Sequence, residues 1–95
     1  MAKFELGGHQ FDSTQALVDV LQERVRQDER WGVTDHHPFA WLAILMKQVD
    51  EFSEYTLNGN FDEWTPENLA NMRKEAVQVA AVALAIVECA DRNNE

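Results

Sequence analysis

Cysteine is nearly missing from this sequence: Cys89 is the only one, which excludes an intramolecular disulfide and suits a reducing compartment. Cations are scarce as well. Eight Lys and Arg stand against 17 Asp and Glu, and the resulting net charge of -9 repels a phosphate backbone, so nucleic acid is excluded as the expected partner. Long apolar runs are also lacking. The most apolar stretch, Ala76 to Ala90, is interrupted by Gln78 and Glu88 and falls short of the ~20 residues that a membrane span needs. Met1 to Glu5 carries no apolar leader-like run, so the expectation is a cytoplasmic protein that does not engage a membrane. Only two prolines and four glycines punctuate 95 residues, enough for one domain (1–95) built from a few long elements.

What is present is mostly helical periodicity, giving an all-α fold behind a short N-terminal β-hairpin within residues 1–12. Phe4 and Leu6 precede Gly7-Gly8 and Phe11 follows, a ribbon with a glycine turn. Residues 13–92 then read as three helices. Asp12-Ser13-Thr14 offers capping oxygens, Leu17, Val18, Leu21 and Val25 recur at helical spacing, and Gly32 closes the first helix after Trp31. Pro38 suits the first turn of a second helix that runs to Leu57, where Asn58-Gly59-Asn60 is a stop. Its stripe of Leu42, Leu45, Val49 and Phe52 is expected to face a core, with Lys47, Asp50 and Glu54 outward. After a connection at Phe61 to Trp64, Thr65-Pro66-Glu67-Asn68 starts a third helix that continues to about Arg92. From Ala76 onward this helix is apolar on nearly every face. Two other helices are too few to surround it, so a homo-oligomer, dimer or tetramer, is expected, with the alanines allowing close approach.

Two glutamates fall on inward faces. Trp41, Ile44, Gln48, Glu51 and Tyr55 share a stripe beside the core seam of the second helix, and Asn71, Glu75, Gln78, Val82 and Cys89 share one on the third. Each helix therefore carries one Glu and one Gln three residues apart. Buried carboxylates close together require shared protons, a cationic partner or a metal, and Mg²⁺ is the natural metal for oxygen donors. A structural polar network, in which an Arg, a Lys or the facing Gln satisfies each Glu, is the equally open alternative.

Three runs carry a family resemblance: Glu23 to Gly32 (ERVRQDERWG), His37 to Leu45 (HPFAWLAIL) and Glu75 to Leu84 (EAVQVAAVAL). Over roughly Gln22 to Arg92 the chain resembles the MazG-like, all-α nucleoside triphosphate pyrophosphohydrolases. That resemblance implies a helical oligomer that uses Mg²⁺ to split a nucleoside triphosphate into monophosphate and pyrophosphate. It also implies two ligand pairs, E-x-x-E on one helix and E-x-x-D on the next, which fall here on Gln48 and Glu51, and on Glu75 and Gln78. Glu51 and Glu75 match the pattern and would be the catalytic carboxylates; Gln48 and Gln78 depart from it, and Lys47 stands where many relatives have a further Glu. An amide lends an oxygen without a charge, so the quartet is about two charges poorer and should hold its metal less tightly.

Other candidates are secondary. Arg30, Trp31, Trp41, Arg73 and Lys74 could contact the nucleotide, although solvated charge and core-lid aromatics are the commoner roles. His36 and His37 have no partner at zinc spacing, and Cys89 reads as packing. Two rivals to an enzyme remain: a module of the same fold that binds nucleotides without hydrolysis, and a structural oligomer whose Glu/Gln pairs fix helix register.

Overall fold

The computed structural model describes residues 4–57 and 65–94, in the order β1 (Phe4–Leu6), β2 (His9–Phe11), α1 (Thr14–Trp31), α2 (Pro38–Leu57), α3 (Pro66–Asn93). The stop expected at Asn58-Gly59-Asn60 and the connection Phe61 to Trp64 lie outside the described residues. β1 and β2 pair antiparallel, Phe4 opposite Phe11, across a turn in which Gly7 and Gly8 take φ of 56° and 80°. Two consecutive positive φ values explain the glycine pair, since any side chain there would be strained.

Local chemistry sets the helix ends. The Ser13 carbonyl accepts the Leu17 N–H at 2.8 Å at the start of α1, and Gly32, at φ 75°, returns its N–H to the Asp28 carbonyl at the end. The His37 ring nitrogen Nδ1 accepts the Phe39 N–H at 3.1 Å, so a histidine caps α2 just before Pro38. In α3, Thr65 Oγ1 accepts the Asn68 N–H at 3.1 Å and Pro66 opens the first turn, as the sequence led one to expect.

α3 is the central element, with α1 on one side and α2 on the other, each packed mainly against it. The buried apolar residues among those described are Ala81, Val82, Ala85 and Cys89, all on α3. Among the described residues, no large side chain is fully buried. The apolar row that marked α1 by its spacing, Leu17, Val18, Leu21 and Val25, is exposed. The expected seam of α2 is rotated too: Leu42 and Val49 are exposed, while Trp41, Ile44, Leu45, Gln48, Glu51 and Phe52 are half-buried. Pattern alone could not tell which apolar stripe meets a helix of the same chain, because α2 carries two.

A polar tie fixes α1 on α3. Arg24, 8% exposed, donates from Nε to Glu88 at 2.7 Å and from Nη1 to Asp28 at 3.0 Å and Gln27 at 3.2 Å. A buried guanidinium with three acceptors is satisfied, so it sets the docking of the two helices rather than straining it. Among the described residues, no helix is long and apolar enough to cross a membrane.

Candidate functional site

The α2–α3 seam holds the carboxylates. Glu75 projects from α3 toward α2 and is 6% exposed, and its Oε2 has no hydrogen-bond partner. Burial, then the charge of Glu51, holds its carboxyl above the ordinary carboxylate range; Lys74 opposes this, and Glu54 adds to it. Glu51 is half-buried on α2, and Gln48, one turn earlier on the same inward face, has its Oε1 sealed from water without a partner. Two orphaned oxygens therefore belong to residues of the predicted quartet. Orphaned buried acceptors are rare enough in native proteins that each calls for a hydrogen-bond donor, such as a proton or a bound water, or for a cation. Glu54 is exposed, as its place on the outer face implied, yet its charge still reaches Glu75.

Gln78, the fourth member, is half-buried and lines a different surface, the groove between α1 and α3. This groove, of about 740 Å³, is walled by Arg26, Arg30 and Trp31 of α1 and by Arg73 and Lys74 of α3. Arg73 Nη2 binds Asp19 at 2.6 Å and holds that carboxyl below its ordinary range, and Arg26 donates to Glu23 at 2.7 Å. The Arg30 guanidinium lies over the Trp31 ring, 4.7 Å from its centroid, and Trp31 is 64% exposed.

Trp41 lies apart from both. It lines a recess of about 530 Å³ beside the N-terminus of α2, with Asp35, His36 and Cys89. The His36 ring stands edge-on to the Trp41 indole at 4.7 Å, and Trp41 Nε1 is buried without a partner. Asp35 is held below the ordinary carboxylate range by Arg92, which donates to it at 2.8 Å, and by the Cys89 side chain.

The predicted residues thus divide among three places: Gln48, Glu51 and Glu75 in the α2–α3 seam, Gln78, Arg30, Trp31, Arg73 and Lys74 in the α1–α3 groove, and Trp41 in the recess. Sequence reasoning weighed Arg26 only as the companion of Arg30 on one helix face and left out Asp19. The four-residue spacing of Arg26 and Arg30 was the available signal, but only the crossing of α1 over α3 brings it to Arg73 and Lys74. Comparison with protein-family models, with curated proteins and with solved structures finds no match for the chain.

Proposed function

We propose that the chain is a Mg²⁺-dependent nucleoside triphosphate pyrophosphohydrolase of the MazG-like kind, acting as a homo-oligomer and releasing nucleoside monophosphate and pyrophosphate. The observation that carries this reading is Glu75: a carboxyl buried without a partner, with a second acid, Glu51, raising its proton affinity. A pair of that kind is stable only with a proton or a cation between its members. The donors available are oxygens, which suit a hard divalent cation better than zinc. Glu51 and Glu75 would hold it, with the carbonyl oxygen of Gln48 as an uncharged neighbour, whereas Gln78 lines the α1–α3 groove instead. Among the described residues no group of three His, Cys, Asp or Glu is assembled for a metal, so water and substrate oxygens are needed to complete its shell.

When bound, Mg²⁺ supplies charge neutralisation at the phosphate oxygens and a more acidic water. The chain's own part is electrostatic and basic. Glu51 and Glu75 would keep the seam negative, and a seam carboxylate oxygen left off the cation, such as Glu75 Oε2, would accept the proton of the attacking water. A panel of nucleoside triphosphates with Mg²⁺ should yield pyrophosphate from at least one member, and Glu75→Gln should abolish that yield. No pyrophosphate from any member would overturn the reading.

Assembly is proposed on surface area. A folded monomer of this 10.9 kDa mass exposes about 5,600 Å². This chain exposes 7285 Å². The surplus of about 1,700 Å² is twice the ~800 Å² per partner of a standard interface. The Cα radius of gyration, 15.4 Å against about 12 Å for a compact domain of this length, points the same way.

One observation favours a second reading, a structural oligomer without catalysis. Burial and the charge of Glu51 raise the proton affinity of Glu75, which favours a proton over a cation as its counterpart, and the uncharged Gln48 lowers the attraction for a metal. In that case Mg²⁺ leaves the melting temperature of wild type and Glu75→Gln alike unchanged.

A further inference from the structure

The N-terminal hairpin lies outside the stretch that carries the family resemblance, and the carboxylate seam makes no use of it. Its turn is nonetheless firmly written: Gly7 and Gly8 take φ of 56° and 80°, a state that other residues rarely adopt. An isolated two-stranded ribbon is marginal in water unless a helix or a further strand covers it. No helix of the chain lies substantially across this one, and every residue from Glu5 to Phe11 is exposed. The two faces of the ribbon differ. With Leu6 opposite His9 and Glu5 opposite Gln10, Leu6, His9 and Phe11 share one face, and Glu5 and Gln10 share the other. The His9 and Phe11 rings, 6.4 Å apart, agree with that placement, and on their face Leu6 is 65% and Phe11 45% exposed. A second uncovered apolar surface follows directly in the chain: Leu17, Val18, Leu21 and Val25 of α1 are 40% to 55% exposed. That row runs about 12 Å along the helix and a three-residue strand about 10 Å, so the two surfaces match in length.

We propose that the hairpin of each copy lies across α1 of a second copy of this chain, its Leu6 and Phe11 face on the row Leu17, Val18, Leu21 and Val25, in a reciprocal exchange. Only Asp12 and Ser13 link β2 to α1, and the Ser13 carbonyl already accepts the Leu17 N–H at 2.8 Å, so the link has little slack. In the folded chain neither surface covers the other. A foreign partner on one of them would leave the other bare, whereas a two-fold exchange between copies covers both at once and leaves no open end. The surplus surface of about 1,700 Å² is large enough to include such an interface. The inference rests on the homo-oligomer reading above and on nothing in the hydrolase reading.

Isotope-filtered NMR and sedimentation velocity on the whole chain test this. In a refolded equimolar mixture of labelled and unlabelled copies, Phe11 ring protons of one copy should show cross-peaks to Leu21 and Val25 methyl groups of the other. Phe11→Ser removes an apolar contact twice per dimer and should raise the dissociation constant about tenfold or more. Gly8→Val should do the same by unmaking the ribbon: the space around Gly8 is open, so the added side chain strains the turn and meets nothing else. Gln10→Ala, on the opposite face, should assemble as wild type does. All three positions are exposed and lie outside the helices, so helical circular dichroism should stay at the wild-type level. The proposal is overturned by an oligomer in which Phe11 touches only its own copy, by one indifferent to Phe11→Ser and Gly8→Val, or by Gln10→Ala dissociating as Phe11→Ser does. A wild type that stays monomeric would overturn the homo-oligomer reading together with this one, whereas an oligomer without the hairpin contacts overturns this inference alone.

Discussion

If the proposed assembly covers the exposed apolar row of α1, Leu21→Glu should separate the subunits. Leu21 sits in the middle of the α1 row Leu17, Val18, Leu21 and Val25 and is 55% exposed in the single chain, so more than half of it is left uncovered by its own subunit. Covering the rest of a leucine contributes about 1 kcal/mol, and placing a carboxylate in the same interface costs at least as much again, for about 2 kcal/mol per copy. A two-fold interface contains the substitution twice. The loss is then about 4 kcal/mol per dimer, roughly a thousandfold in dissociation constant. Sedimentation velocity across the micromolar range should show wild type as a dimer or tetramer and Leu21→Glu shifted to monomer, with circular dichroism reporting the helices that survive. A wild type that sediments as a stable, folded monomer at low micromolar concentration would refute the reasoning. So would a Leu21→Glu variant that assembles as wild type does.

Three further outcomes follow from the seam and the helix tie. Because the Glu75 carboxyl is held above its ordinary range in the folded chain, its contribution to stability is complete below the unfolded carboxylate's pKa and is lost as pH rises through the folded one. Metal-free wild type should therefore weaken as pH climbs from the acid side toward neutrality, and Glu75→Gln should flatten that limb of the melting curve and raise neutral-pH stability by about 1 kcal/mol. Gln48→Glu should lower the melting temperature in EDTA through repulsion with Glu51 and Glu75, and gain more from Mg²⁺ than wild type does; a variant that gains nothing contradicts a metal in the seam. Arg24→Met should cost about 2 kcal/mol in chemical denaturation, less than for a fully buried pair because Glu88 and Asp28 are each 39% exposed and can be rehydrated. An unchanged midpoint would show that apolar packing alone docks α1 on α3.

The elements were legible because their ends are written in local chemistry: Gly7-Gly8, Gly32, Pro38 and Thr65-Pro66 each impose a backbone state within a few residues. The inward stripe of α3 was legible for a similar reason. Asn71, Glu75, Gln78, Val82 and Cys89 share a face, and three of them, Glu75, Val82 and Cys89, are buried. Packing partners were harder to read. Leu42 and Leu21 look like core residues in any periodicity argument, yet no helix of their own chain covers them, and a pattern does not say whose surface it meets. The separation of Gln78 from Gln48, Glu51 and Glu75 was hidden for a geometric reason: helical spacing places Gln78 near Glu75, but α1 crosses α3 on the side toward which Gln78 leans.

The most direct measurement is phosphorus NMR of a nucleoside triphosphate incubated with the wild-type protein, with Mg²⁺ and with EDTA, alongside Glu75→Gln. The predicted spectrum shows monophosphate and pyrophosphate growing together in wild type with Mg²⁺, and neither in EDTA or in Glu75→Gln. Diphosphate and inorganic phosphate as products, or turnover undiminished in Glu75→Gln, would contradict a pyrophosphohydrolase centred on the buried carboxyl.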